Sequence, residues 1–321
     1  MKVLLVCDRA NWAYDSIAQA LIKYNNREDL VLETYYLKSE NKNLNSIKNN
    51  YDLIFVLGWQ LLLNRGLFGI QTRNKAFGFN KTITGIHSHH SWDDRMTMPD
   101  NSVVPPEKLI QFLKKYKGVN TVSERLYKLF KQVGLNNVVY TPNGVDTELF
   151  KPMKTLKEKK NLIVGYSGSL KHDWRKGITE YIEPACKRAG VELNKAMLAD
   201  GHYVPIEKMP QFYNDIDVYL CASSSEGFSL SVLEASACGR PVISTRVGGC
   251  EDLIIDGENG FLVDRDVESI TEKILVFKED RKLVEKMGCA NRKIVKEKWS
   301  WKLRASNWLD FVSYGLEKKY G

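Results

Sequence analysis

At 321 residues the chain has room for two domains of ordinary size, and its apolar (43%) and charged (27%) fractions are those of a globular protein. Six cysteines without close pairs argue against a disulfide framework or a zinc site and point to a reduced, cytoplasmic setting. The net charge of +8 is compatible with an anionic substrate or with peripheral contact at a lipid surface; since Lys and Arg are spread along the chain, ordinary solubility charge explains it as well.

The first element, Lys2 to Cys7, reads as a buried strand, with an apolar run too short for a signal peptide or a membrane span. Further strands are expected at Leu30–Tyr36, Asp52–Leu57, Thr82–His87, Val119–Val122 and Val138–Thr141. Helices fit between them, most clearly at Ser16–Tyr24, Glu107–Tyr116 and Glu124–Val133. Thr141-Pro142-Asn143-Gly144-Val145-Asp146 is a turn cluster, and the Lys-rich stretch from Lys151 to Lys160 has a linker's composition. The alternation then restarts, with strands at Leu162–Ser167, Lys195–Leu198, Val218–Ala222 and Pro241–Thr245, and helices at Ile178–Ala189, Ser229–Cys238 and Val267–Phe277. Such alternation predicts parallel sheets in two doubly wound, Rossmann-like α/β domains, with ligands at the carboxyl ends of the strands.

The richest segment is Glu226-Gly227-Phe228-Ser229-Leu230-Ser231-Val232-Leu233-Glu234. It follows a buried strand and a Ser-rich turn and opens a helix. The N–H groups of Phe228, Ser229 and Leu230 would then form an anion site at the helix N-terminus. Glu234 lies about 9 Å further along the helix than the turn carrying Glu226, at ~1.5 Å rise per residue. A ligand with hydroxyl-rich groups at both ends and a diphosphate between suits that span, and a nucleotide-sugar has this layout.

The pattern Glu-Gly-Phe-x-Leu-x-x-x-Glu resembles that of the family 4 retaining glycosyltransferases of the GT-B fold (glycosyl transferases group 1). Glu234-Ala235, Gly239-Arg240-Pro241-Val242-Ile243, Gly248-Gly249, Glu251 and Asp256-Gly257-Glu258-Asn259-Gly260-Phe261 follow in the family's order. Pro142 to Pro152 is similar to its interdomain segment. Two Rossmann-like domains facing across a cleft are implied. The boundaries expected are 1–150 for an acceptor-binding domain, 151–302 for a donor-binding domain, and 303–321 for a final helix crossing back to the first. The resemblance also implies metal-independent transfer of a sugar, with retention, from a nucleoside diphosphate sugar to a hydroxyl of a glycan or glycolipid. No cofactor is expected and no nucleic-acid partner.

In this family the loop of Gly165-Tyr166-Ser167-Gly168-Ser169-Leu170 and Trp174-Arg175-Lys176-Gly177 supplies an Arg and a Lys to the donor diphosphate. Lys176 matches the Lys; the Arg position falls near Ser169, leaving Arg175 or Lys171 as substitutes. By the same resemblance Glu226, Gly227 and the N–H groups after it take the sugar hydroxyls and distal phosphate, and Glu234 takes the ribose. The base falls near Tyr203, Val204 and Pro205. The His at the end of the fourth strand contacts the transferred sugar, a place His87 matches, with His89 and His90 on the following loop nearer an acceptor. The family's two glycines after the first strand are absent from Asp8-Arg9-Ala10-Asn11-Trp12-Ala13, which predicts a loop of different shape.

Trp12, Trp59 and Trp92 each follow a strand of the first half and are expected at its carboxyl edge, as an acceptor platform or as packing residues. The three His in four residues lack the spacing of a zinc helix. Asp215-Ile216-Asp217 and Asp264-Arg265-Asp266 are explained by turn and cap roles rather than by a metal. Two other readings use the same residues: a sugar-nucleotide epimerase of this fold, and a non-catalytic nucleotide-sugar-binding module.

Overall fold

The computed structural model describes residues 1–38, 44–65, 71–88, 104–153, 161–198 and 204–318. The chain divides into two compact units: Met1–Trp92 with Val104–Asn143 and Trp301–Gly321, and a second comprising Gly144–Ser300. The sequence boundaries at 150 and 302 fall a few residues to the C-terminal side of these.

The first unit holds six parallel strands, β1 Lys2–Cys7, β2 Val31–Tyr36, β3 Leu53–Val56, β4 Thr82–Ile86, β5 Gly118–Thr121 and β6 Val138–Tyr140, in the order β2-β1-β3-β4-β5-β6. β1, β3 and β4 are buried almost throughout, as parallel strands covered on both faces require. Helices α1 Ala13–Lys23, α2 Glu107–Leu113 and α3 Glu124–Gln132 make the crossovers from β1 to β2, β4 to β5 and β5 to β6. Ser123 starts α3 by accepting from the Leu126 N–H at 3.4 Å.

The second unit repeats the plan with five parallel strands, β7 Ile163–Ser169, β8 Glu192–Leu198, β9 Val218–Cys221, β10 Val242–Thr245 and β11 Gly260–Val263, in the order β8-β7-β9-β10-β11. Its helices are α4 Glu183–Ala189, α5 Met209–Asp215, α6 Leu230–Ala237, α7 Gly248–Leu253, α8 Val267–Glu279 and α9 Arg281–Ile294. Val164, Ile182, Leu220, Ile243 and Phe277 are buried together in its core. In each all-parallel sheet the order of strand addition therefore reverses once, between the first and third strands, and such a switch point opens a crevice at the carboxyl ends.

The last helix, α10 Trp301–Glu317, belongs to the first unit. Trp308 and Phe311 lie against Phe55, with ring centroids at 6.0 and 5.5 Å, and the Trp308 indole N–H donates to the Pro142 carbonyl at 2.8 Å.

Some elements differ from the sequence reading. The helix expected over Ile178–Ala189 begins with a wide turn, in which the Ile182 N–H reaches back to the Gly177 carbonyl at 3.0 Å. Pro184, which has no N–H to give, stands at the junction with α4. A short antiparallel pair, Leu63–Arg65 with Gln71–Arg73, was not anticipated. β11 starts on Gly260, whose added Cβ would lie 2.3 Å from the Val242 carbonyl oxygen, so a turn-like composition serves close strand approach.

Candidate functional site

The polar cluster of the second unit sits at its switch point, after β7 and β9. Beyond β7 the chain makes one helical turn, Asp173–Lys176, that ends on Gly177 at φ +70°. Asp173 fixes this loop by accepting from the backbone N–H groups of Ile178 (2.6 Å) and Thr179 (3.1 Å). Beyond β9 come three serines and Glu226.

Glu226 is buried, and one carboxylate oxygen gathers three donors: Ser223 Oγ at 2.7 Å, Arg175 Nη1 at 3.1 Å and Lys176 Nζ. Arg175 is also buried and donates to the Ser225 carbonyl at 2.8 Å. Burial alone would raise the Glu226 carboxyl, but the charges of Lys176 and Arg175, with their hydrogen bonds, outweigh it and hold the group at about 2. The carboxylate is thus ionised at any physiological pH. The side chain of Lys171 lies outside the described residues, so Arg175 is the guanidinium found here.

Arg265 ties the two loops together. It donates to the Ala222 carbonyl (2.9 Å) and to the carbonyls of Trp174 and Arg175 (3.3 Å each), with its guanidinium 4.4 Å from the Tyr181 ring centre. The sequence offered no sign of this role, which depends on a loop 90 residues from Arg175. Ser223, three residues before Glu226, was more accessible to inspection.

Helix α6 starts at Leu230 with Ser229 in the N-cap position. The first N–H groups of a helix have no intrahelical acceptor, and those of Phe228, Ser229 and Leu230 donate to no backbone carbonyl among the described residues. The Ser229 hydroxyl is turned to that of Ser231 at 3.1 Å rather than capping the helix. The turn before it is held from beneath by α7: the Gly249 N–H donates to the Gly227 carbonyl at 2.8 Å. A Cβ on Gly248 would lie 2.2 Å from the Glu226 carbonyl oxygen, and one on Gly249 would lie 2.0 Å from the Phe228 ring. The Gly248-Gly249 pair is therefore required by the closeness of this contact. Phe228 packs on Trp299, centroids 5.0 Å apart.

Glu234 lies one and a half turns into the helix and is partly exposed. Tyr213 donates to it at 2.7 Å, and the same hydroxyl meets Ser167 at 3.1 Å, which in turn meets Tyr219 at 3.0 Å. Loss of hydration pushes the Glu234 carboxyl up to about 7, against the smaller pull of the Tyr213 hydrogen bond. Tyr213 gave no sequence signal, since it stands on α5, 21 residues away. Val204, half-buried, precedes the turn Ile206–Lys208; Tyr203 lies outside the described residues.

In the first unit, His87 directly follows β4. Its ring meets Tyr14 edge-on at 5.0 Å and Trp308 at 5.9 Å. Nε2 is buried without a hydrogen-bond partner among the described residues. It points over Gly85, where a Cβ would come within 2.5 Å of it and 2.6 Å of Asn120 Oδ1. Burial lowers the imidazole to about 3, so the ring is neutral.

Trp12 stands before α1, 44% exposed, with the Arg9 guanidinium 3.5 Å from its ring centre. The left-handed conformation that glycine would ease is taken in this loop by Asn11, at φ 60°, whose N–H donates to Asp15 at 2.7 Å. Trp59 requires a correction. It opens the 3₁₀ turn Trp59–Leu62 immediately after β3, and this turn carries the ring inward, leaving it 7% exposed. It cannot present a face to an acceptor. Trp92, His89 and His90 lie outside the described residues.

The two carboxylate pairs have structural partners. Asp217 accepts from the Ile163 N–H (2.8 Å) and from Arg281 (3.1 Å), and Asp215 from Gln211 (2.7 Å). Asp266 caps α8 through the Ser269 N–H at 2.7 Å.

Comparison with known proteins extends this geometry. Residues 148–294 match the model of the family glycosyl transferases group 1. The chain is 32% identical over 118 residues to a GDP-mannose-dependent α-(1-6)-phosphatidylinositol monomannoside mannosyltransferase of Mycolicibacterium smegmatis, covering 34% of this chain and 31% of that protein. It is 30% identical over 189 residues to the capsular polysaccharide biosynthesis glycosyltransferase CapM of Staphylococcus aureus, 49% of each. The chain thus spans a third to a half of the length of these relatives. Among solved structures, it resembles a sucrose-phosphate synthase from Thermosynechococcus elongatus (TM-score 0.74, 17% identity, 97% of this chain and 98% of that one). It also resembles Anabaena HepE in complex with UDP and glucose (TM-score 0.71, 16% identity, 98% and 99%). These likenesses show the fold, that of the two-domain GT-B proteins.

Proposed function

From the match of residues 148–294 to the glycosyl transferases group 1, we propose that this chain belongs to that family and moves a sugar from a nucleoside diphosphate sugar to a hydroxyl of a glycan or glycolipid, with retention at the anomeric carbon and without a metal. The observation that carries this reading is the convergence of Arg175 and Lys176 on Glu226, beside the N-terminus of α6. Two cations against one carboxylate leave a net positive site, and uncommitted helix N–H groups add to it.

In this reading Lys176 and Arg175 receive the diphosphate. Its charge grows as the glycosidic bond breaks, so they stabilise the transition state more than the ground state. Glu226, kept ionised, accepts hydrogen bonds from the sugar hydroxyls. Phe228 to Leu230 hold the distal phosphate. Glu234 accepts from the ribose hydroxyls. His87, neutral, hydrogen-bonds the transferred sugar and does not act as a general acid. The acceptor is taken by the first unit, with the exposed Trp12 as its aromatic contact. Attack occurs on the front face, and the departing phosphate takes the acceptor proton. The relatives' names, which include a mannosyltransferase and a capsular polysaccharide enzyme, support a glycan or lipid-linked acceptor. The proposal places the reaction in the cytoplasm.

A melting-temperature screen with nucleoside diphosphates, followed by donor hydrolysis with and without EDTA, tests this. A matching ligand at about 100 times its Kd stabilises by roughly 2.7 kcal/mol, and hydrolysis survives the chelator. Activity abolished by EDTA and restored by Mn²⁺ would contradict the cationic site. An isomerised donor instead of a released sugar would favour an epimerase. Trp12→Ala should raise the acceptor KM and spare hydrolysis; equal loss of both would remove Trp12 from the acceptor site.

A further inference from the structure

The second unit contains a cavity of about 830 Å³ at the opposite end of its sheet from Glu226. Its position follows from its walls. Arg240 precedes β10, and Arg281 pairs with Asp217, which precedes β9, so the cavity faces the amino ends of these strands. Helix α9 forms the other wall. Gly288 comes so close to Gly239 that a Cβ on it would lie 2.2 Å from the Gly239 carbonyl oxygen, which fixes the cavity's floor.

Two guanidinium groups are set rigidly into this wall. Arg240 donates to the carbonyls of Cys238 and Ile216 at 3.1 Å each. Arg292 donates to those of Phe150 and Ala237 at 2.8 Å and of Thr147 at 3.0 Å. Neither is hydrogen-bonded to a carboxylate among the described residues, and burial lowers the pKa of each from its ordinary value. Lys293 and Lys296, on the last turn of α9 and just beyond it, are exposed at the same cavity with no hydrogen bond or ion pair among the described residues. Glu285 and Glu297 also line it. Arg281 lines it too but is paired with Asp217, which leaves four other cations against two carboxylates. The described lining has no aromatic ring, hence no face on which a nucleobase could stack.

We infer that this cavity is a second ligand site, separate from the donor site, for a phosphorylated sugar or polyol: Arg240, Arg292, Lys293 and Lys296 take the phosphate, and Glu285 and Glu297 accept from the hydroxyls. The volume is that of a small-molecule site, and charge-assisted hydrogen bonds from fixed guanidinium groups are the strongest a protein offers a phosphate. The inference does not depend on the proposed transfer reaction, because none of these residues has a role there.

Cys289 provides the test. It lines the cavity and is exposed, whereas the other five cysteines are buried. The rate of its alkylation by iodoacetamide, followed by mass spectrometry on the full chain, reports occupancy directly. Millimolar fructose 1,6-bisphosphate is expected to slow the reaction several-fold. Fructose, and sulfate at equal ionic strength, are expected to leave it unchanged. Lys293→Glu/Lys296→Glu should weaken the protection by about tenfold or more, as loss of charge-assisted contacts requires, and Lys293→Gln/Lys296→Gln should do so by less. Neither pair of changes should alter the melting shift produced by a nucleoside diphosphate. No protection by the bisphosphate, equal protection by sulfate, or protection undiminished in the charge-reversed chain would overturn the assignment.

Discussion

Glu226 and Glu234 carry the same side chain on one segment, and their surroundings drive them in opposite directions. Glu226 is held at about 2, below its ordinary 4.5, because Lys176 and Arg175 outweigh its burial. Its ionised form therefore stabilises the fold fully above pH 4.5. That contribution, at most about 3 kcal/mol, is lost as pH falls towards 2. Glu226→Ala would leave the buried Arg175 and the half-buried Lys176 without their partner and should cost about 3–5 kcal/mol in urea unfolding at pH 7. In Glu226→Gln, which also removes the charge but keeps the side chain's shape and a hydrogen-bond acceptor, turnover should fall more than donor affinity; an intact kcat with a raised donor KM would refute its assignment to the sugar. Glu234 is pushed up to about 7. Its carboxylate form opposes folding, so the stability it permits is full below pH 4.5 and declines as pH rises through 7. A ribose needs that same carboxylate as acceptor. Donor affinity should accordingly rise up to about tenfold per pH unit below 7 and level off above it. Glu234→Gln should flatten this profile and raise the melting temperature at pH 8. Calorimetric titration across pH 5.5–8.5 checks the first, and a pH-independent affinity in the unmodified chain would exclude Glu234 from the ligand.

Between elements, the decisive contacts are those that glycine alone permits. The turn carrying Glu226 rests on α7 at Gly248, where an added Cβ would meet the Glu226 carbonyl oxygen at 2.2 Å. Gly248 also adopts φ +42°. Gly248→Ala should cost about 1–3 kcal/mol through overpacking and displace Glu226 from its two cations, seen as a lost melting shift with nucleoside diphosphate. An unchanged shift would mean that α7 does not position the turn. Such contacts mark how far the sequence could be read. Glu226, Lys176 and the helix between Ser229 and Cys238 were legible because strand, turn and helix follow one another without a gap. Tyr213 and Arg265 were not, because each reaches its partner from another element, and no local pattern records that. The tryptophans divide on the same ground. Topology placed Trp12 and Trp59 after strands correctly, but only the packing of a 3₁₀ turn decides that Trp59 faces inward.

For the whole molecule, alternation of strand and helix was enough to give two parallel-sheet units, since fully buried strands such as Leu53–Val56 and Val218–Cys221 announce themselves as short apolar runs. The order of strands was not visible in them, although it is the order that puts Arg175 and Glu226 at one switch point. The two units have the same order over their first five strands, yet among the described residues the cluster of Arg175, Lys176 and Glu226 lies in the second, and the first has a neutral His87 and an exposed Trp12. This asymmetry is what the proposed division into a donor half and an acceptor half requires. The most direct test of the account is proton NMR of the sugar first released when the chain hydrolyses an α-linked nucleoside diphosphate sugar, chosen from a panel of uridine and guanosine donors. The account expects one donor to be consumed, with the α-anomer appearing before mutarotation brings in the β. Release of the β-anomer first, an epimerised donor, or no consumption of any donor in the panel would contradict it.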